Sequence, residues 1–390
     1  MIERGSSSLL LFLMQRDLNF TPLQYGQIIG LTAFISLLAA VVGGWLIDRV
    51  GARWGMALSL LVCSLAHLAT AAVSSALGLG VARSIFAAGA PANYVAATKA
   101  MSEHIAPQGR GTALAVYSLG AKIAPMLAPP IILMTADRFG WRFALMAMGV
   151  IGLLLLLLWL WRYRPPRENV AEPTPVENES APTVLSLFAT PETTKEKSFW
   201  RSPIIWLLFV SNVLTGQVGS VLTGWLGEQF APQERAWQFL PMFLFTLIGT
   251  LGSGIISDYR IRAGQEPAAS RTQLMLGATF LMLFCWLIPF ASSLWAIIAL
   301  TALVSLGNAS WAVMMTALLL DVTPTRSVGL VMGIVVASSG WLSGLVMSVT
   351  KLFPSDGASV VALIAVGGLQ LLALWFVRLA TRPQSRESLV

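Results

Sequence analysis

Long uninterrupted apolar runs, with little alternation of polar and apolar positions, dominate the chain. They fall at 23–47, 54–74, 77–101, 110–135, 141–161, 202–226, 236–257, 272–290, 294–320, 327–350 and 359–380. Each is near the ~20 residues that carry an α-helix across a bilayer. A transmembrane β-barrel shows ~10-residue stretches of alternating polarity instead, and "VIGLLLLLLWLW" at 150–161 is the opposite of that. Backbone N–H and C=O groups in hydrocarbon must find partners inside their own segment, so the pattern predicts an all-α integral membrane protein. The runs are numbered spans 2 to 12, because residues 1–15 read as one further helix. At ~1.5 Å per residue, Met1 to Gln15 cover roughly 22 Å of a core ~30 Å thick. Span 1 is therefore expected to be truncated and the natural start to lie upstream of Met1, with a short helix tolerated by local thinning as the alternative.

One stretch breaks the apolar rhythm. Residues 163–200, "YRPPRENVAEPTPVENESAPTVLSLFATPETTKEKSFW", are rich in Pro, Glu, Thr and Ser and read as a linker. It divides the chain into an N-terminal bundle, 1–162, and a C-terminal bundle, 201–381, followed by a tail at 382–390. The bundles repeat one another. "GWLIDRVGAR" at 44–53 has its counterpart in "GIISDYRIRAG" at 254–264, with Gly44 and Asp48 matching Gly254 and Asp258 at an offset of 210. The same offset puts the counterpart of span 7, which starts near Trp200 to Pro203, ahead of Met1. Parallel repeats of six helices build one large class of transporters, with the substrate site near the midplane between them.

Composition agrees: 56% of residues are hydrophobic and 11% charged, against about a quarter charged in soluble domains. The formal net charge of +7 raises the question of an acidic partner, and the placement of the basic residues answers it. Arg49, Arg53, Arg110, Arg162, Arg164, Arg167, Lys195, Lys197, Arg201, Arg260, Arg262, Arg271 and Arg326 fall in one alternating set of connections. The opposite set holds Arg16, Arg138, Arg142, Arg235 and Lys351. The first set and both termini are therefore expected to be cytoplasmic, and nucleic acid is not an expected partner. Cys63 and Cys285 sit inside apolar runs and suggest neither disulfide nor metal. His67 reads as a packed residue, and no phosphate loop, metal-ligand spacing or nucleophile elbow is present, so neither an enzyme nor a cofactor is expected.

The loop at 44–53 resembles that of the major facilitator superfamily, whose connection between helices 2 and 3 carries Gly, Asp, Arg, Gly and a basic residue, as Gly44, Asp48, Arg49, Gly51 and Arg53 do. The resemblance covers essentially the whole chain. Within the superfamily, "ERGSSS", "DLNFTPLQYGQIIG", "GRGTALAVYSLGAKIAPMLAPP" and "DVTPTRSVGLVMG" are similar to patterns of the anion:cation symporters, which carry sugar acids and carboxylates. The resemblance implies a major facilitator fold of two six-helix bundles in a bacterial plasma (inner) membrane, with alternating access and proton symport of a small organic anion. It maps an acid–arginine pair onto Glu3 and Arg4, leaving Glu3 as the candidate proton carrier, and a substrate arginine onto Arg83. Departures are equally informative: the family's other polar ligands fall on Ala90, Ser36, Thr316 and near Val336. These losses favour a smaller or more apolar carboxylate over a hydroxyl-rich one.

Physical chemistry gives the charges roles of their own. A carboxylate at the cytoplasmic end of span 2 suits the positive N-terminal end of a helix from the other bundle. Symmetry pairs Asp48 with span 11, beginning near Arg326, and Asp258 with span 5, beginning near Arg110. Gly44, Asp48, Arg49, Gly51, Arg53, Asp258 and Arg260 are thus expected to gate the cytoplasmic side, against the alternative that the charges only set topology. Inside the spans, Arg4, Arg83, Lys99 and Lys122 gather in the N-terminal bundle, where a buried cation is costly and matches an anionic substrate. Asn212, Thr215 and Gln217 in span 7, with Asn308, Ser310 and Trp311 in span 10, are expected to add neutral hydrogen bonds from the other side. An efflux antiporter of the same fold and a transporter-like ligand sensor are the alternative functions. The protein is expected to act as a monomer.

Overall fold

The computed structural model describes residues 14, 17–18, 20–165, 203–216, 218–219, 221–222, 239–339 and 357–381. Every regular element among the described residues is a helix. In chain order they are α1 (Pro22–Ala72), α2 (Ala76–His104), α3 (Pro107–Arg162), α4 (Pro203–Thr215), α5 (Phe239–Arg262), α6 (Pro267–Met282, tightening into a 3-10 turn at Leu283–Phe290), α7 (Leu294–Val322), α8 (Thr325–Ser339) and α9 (Gly357–Ala380). Spans 2 and 3 lie in α1, span 4 in α2, spans 5 and 6 in α3, and the helices described within spans 7 to 12 are α4 to α9 in order. Span 1, with Glu3 and Arg4, falls outside the described residues except for Met14. So do residues 166–200 of the linker and the tail from 382.

The helix starts follow from local chemistry. Thr21 caps α1: its hydroxyl accepts from the Gln24 N–H at 3.2 Å while the Gln24 side chain accepts from the Thr21 N–H at 2.9 Å. Pro22, Pro107 and Pro267 occupy first-turn positions where a backbone N–H has no intrahelical partner to lose. Ser75 caps α2 through Gly78.

A straight helix of 51 residues is about 76 Å long, more than twice the hydrocarbon thickness. α1 avoids this by reversing at Gly51, whose φ of 80° lies in the left-handed region that an L side chain resists. Ile47 and Gly55 would stand about 12 Å apart along a straight helix, yet the Ile47 side chain lies against Gly55. Gly140, also at φ 80°, reverses α3 in the same way.

Within each bundle the helices meet at small residues and backbone oxygens. The Ser59 hydroxyl donates to Gly89 O at 2.9 Å, and Gly149 and Gly152 lie against Leu68 and Ser64, seating span 4 and span 6 on span 3. In the second bundle Ser310 donates to Gly249 O at 3.1 Å and Ser211 to Ala373 O at 3.1 Å. Lipid tails are as apolar as leucine, so close backbone approach and hydrogen bonds must hold such helices together. The outward faces carry Leu154, Leu157, Trp161, Phe280 and Trp375, all more than half exposed. Such a surface requires an apolar solvent, as a multi-pass membrane protein has.

Replacing Gly51 by alanine tests the reversal, because no neighbouring atom lies within 4 Å of the added methyl and only backbone conformation is at stake. The variant is expected to lose on the order of 1 kcal/mol in thermal unfolding in detergent. Gly26→Ala, inside a regular part of α1 with equally open surroundings, is expected to lose nothing.

Candidate functional site

The two bundles meet at the end where α1 reverses and the basic residues cluster. Asp48, just past the end of span 2, reaches across to α8. The N–H groups of Gly329 and Leu330 donate to its Oδ1 and Oδ2, both at 2.7 Å, over sequence separations of 281 and 282. Asp258, its repeat counterpart in α5, does the same to α3: Gly111 N–H donates to Oδ1 at 3.1 Å and Thr112 N–H to Oδ2 at 2.6 Å. The partners also obey a repeat, with 111 and 112 matching 329 and 330 at an offset of 218. Each carboxylate thus takes two consecutive amides near the positive start of a helix from the other bundle.

Small residues permit this approach. Gly44 lies against the backbone of Gly329, and Gly333 against Ala40, so that spans 2 and 11 touch backbone to backbone; Gly254 lies against Gly111 and Ala115 in the same manner. A Cβ on Gly44 would overlap the Gly329 carbonyl. The glycine four residues before each aspartate is the condition for the contact the aspartate makes.

Cations complete both seams, differently on each side. Lys99 of α2 donates to Asp48 Oδ1 at 2.8 Å and to the Thr325 carbonyl across the seam. At the other seam Arg271 of α6, fully buried, donates to Asp258 Oδ1 at 3.1 Å, Asp321 Oδ2 at 3.3 Å, Ser257 Oγ at 2.7 Å and Pro107 O at 2.8 Å. Arg110 of α3 reaches Asp321 Oδ1 at 3.0 Å and Leu320 O at 2.9 Å from the opposite bundle. Asp321 is therefore bracketed by one arginine from each bundle. The planar guanidinium suits this work because its donors form a fork that serves several acceptors at once.

The remaining candidates are placed as follows. Arg49 stacks over the Trp45 ring at 3.8 Å, and Arg53 donates to Leu160 O at 3.1 Å; both contacts stay within the first bundle. Arg260 bonds Gln273 in its own bundle at 3.4 Å. Lys99, counted from sequence among the cations of the substrate region, is committed to the Asp48 seam. Arg83 is half-buried on α2. Lys122, half-buried on span 5, donates to the Thr250 hydroxyl of α5 at 2.7 Å. Asn212 donates to Ser339 Oγ at 3.0 Å, and the Asn308 amide comes near Gly219. Gln217, like Glu3 and Arg4, lies outside the described residues.

Between the basic end and Lys122, Tyr94 of α2 hydrogen-bonds Thr316 of α7 at 3.2 Å across the bundles, and Tyr117 donates to Asn93 at 2.9 Å. A shallow cleft between α4, α7 and α8 is lined by apolar residues, among them Trp206, Phe209 and Leu319, and offers an anion no partner.

Sequence reasoning passed over Asp321 and Thr250 and read Arg271 as one of the topology-setting loop residues alone. Asp321 and Arg271 stand at span ends, where charge reads as loop. The one available signal for Asp321 was that it sits between an apolar run and "TPTR", in the same set of connections as most of the loop arginines.

A family model described as Major Facilitator Superfamily matches residues 1–266. A galacturonate transporter of Dickeya chrysanthemi is 29% identical over 156 residues, 40% of this chain and 45% of that one, so the chain spans under half of this relative. A D-galactonate transporter of Escherichia coli (O6:H1) is 23% identical over 91% of this chain and 86% of its own. Among solved structures, a bacterial homologue of the iron transporter ferroportin superposes with a TM-score of 0.73 at 12% identity, covering 97% of this chain and 96% of that one.

The seams are separable experimentally. Asp48→Asn is expected to raise amide hydrogen exchange at 328–332 about tenfold, as loss of one charge-assisted bond implies, and to leave 109–113 unchanged. Asp258→Asn should do the reverse. Equal change at both places in either variant would show that the seams open only together.

Proposed function

The chain belongs to the Major Facilitator Superfamily, and from that premise we propose that it moves a small organic anion across the membrane by alternating access, in symport with protons. The observation that carries alternating access is the pair of carboxylate seams, polar contacts that join the two bundles at one end of the molecule. Polar seams suit a gate, because an aspartate and two amides that part on opening are resolvated by water at the membrane face. An apolar seam would instead expose oily surface. On this reading the described conformation is closed on the cytoplasmic side, and Asp48, Asp258, Gly44, Gly51 and the basic residues Arg49, Arg53 and Arg260 form and frame the gate.

Arg83 and Lys122, with Arg4, supply positive charge in the first bundle, and an anion is its natural complement. Asn212, Gln217 and Asn308 provide neutral donors from the second bundle. Relatives named for galacturonate and D-galactonate support a carboxylate. Glu3 is assigned the coupling proton. The loop arginines orient the protein in a bacterial inner membrane with both termini cytoplasmic.

Uptake of radiolabelled D-galacturonate, D-galactonate and smaller mono- and dicarboxylates into proteoliposomes tests the whole reading. Accumulation of at least one acid, raised by an inward proton gradient, is the expected result; uptake indifferent to the gradient removes the proton. Arg83→Ala is expected to abolish binding. Asp48→Asn is expected to slow uptake about tenfold, as ~1.4 kcal/mol on a barrier does, while affinity stays within about threefold. Equal loss of flux and affinity in that variant would sink the gate.

A further inference from the structure

Lys122 and Thr250 stand on the same two helices as the Asp258 seam, and the two contacts divide that interface between its end and its middle. Along span 5, Lys122 lies 11 residues beyond Gly111, about 16 Å deeper into the membrane; along α5, Thr250 lies eight residues before Asp258, about 12 Å deeper. Between them Gly254 presses on Gly111 and Ala115 with no side chain to hold it.

The mid-membrane contact is chemically unequal. The Thr250 hydroxyl spends its own proton on Thr246 O at 2.7 Å, so it meets the Lys122 ammonium as a neutral acceptor. Thr250 is fully buried. A hydroxyl answers the charge of a half-buried ammonium weakly, whereas a carboxylate forms a shorter and roughly twice stronger bond. Among the described residues the other seam has no such feature: Ala40 occupies the position matching Thr250 at the repeat offset of 210, and it meets Gly333 through its backbone carbonyl.

We infer that Lys122 exchanges partners during transport, bonded to Thr250 across the bundles when no anion is present and to the anion's carboxylate when one is bound, so that anion binding loosens the α3–α5 seam ahead of the α1–α8 seam. The inference rests on the anion-transporter reading above. It makes Lys122 both a substrate contact and the group that reports occupancy to the Asp258 end, through the one pair of helices it ties. It makes Thr250 a competitor of the substrate.

Two measurements on the purified full-length protein test this: calorimetric titration with D-galacturonate and D-galactonate, and hydrogen exchange at 107–116 and 328–332. Wild-type protein that binds neither these acids nor the smaller mono- and dicarboxylates of the uptake panel overturns the anion reading and this inference with it. Where wild type binds, Thr250→Val is expected to bind about three- to tenfold tighter, since one charge-assisted bond no longer competes. Its residues 107–116 are expected to exchange, without anion, as fast as those of anion-bound wild type. Unchanged or weaker affinity overturns the partner exchange alone, with Thr250→Ala replacing the valine variant should that not fold. Lys122→Gln is expected to lose the anion-induced rise at 107–116; a rise equal to wild type's overturns the role of Lys122 as reporter.

Discussion

A carboxylate set against the start of a helix from the other bundle is the contact on which the closed end depends. Helix starts carry N–H groups without intrahelical partners and a partial positive charge. Asp48 and Asp258 each answer two consecutive amides, and the arrangement recurs because the sequence repeat recurs. Its strength is limited by the same physics that makes it specific. Charge-assisted bonds contribute roughly 1.5–3 kcal/mol each, but burying the carboxylates and their cations costs several kcal/mol in desolvation. The net hold is therefore smaller than the sum of its bonds.

The seams are built alike and charged differently. On the α1–α8 side one lysine serves one aspartate and a carbonyl. On the α3–α5 side two arginines, one from each bundle, share Asp258 and Asp321, and a third cation, Lys122, bonds across the same helix pair at mid-depth. Every additional desolvated charge makes that side more responsive to a charged ligand, because removing or supplying one partner of a buried ion changes its energy far more than trading one apolar contact for another. The tight helix crossings matter here. Gly44 on Gly329, Gly333 on Ala40 and Gly254 on Gly111 bring backbones close enough for each aspartate to reach the amides of the facing helix.

The sequence by itself determined the class of the molecule and much of its plan. Apolar runs of membrane length, the alternation of arginine-bearing loops and the repeated Gly–Asp motif are all local features, and each depends on chain chemistry that a helix in lipid cannot evade. The pairing of Asp48 with span 11 and of Asp258 with span 5 was legible too, because a repeat of 210 combined with the need of a helix start for a negative partner leaves few choices. What only the tertiary structure decided was the cations: Lys99 meets Asp48, Arg271 and Arg110 bracket Asp321, and Lys122 finds Thr250. These partners lie between 50 and 211 residues apart. A helix with apolar residues all round shows no amphipathic stripe to tell which face meets protein and which meets lipid. Helix rotation is set by small-residue crossings, and it alone determines which buried charge meets which.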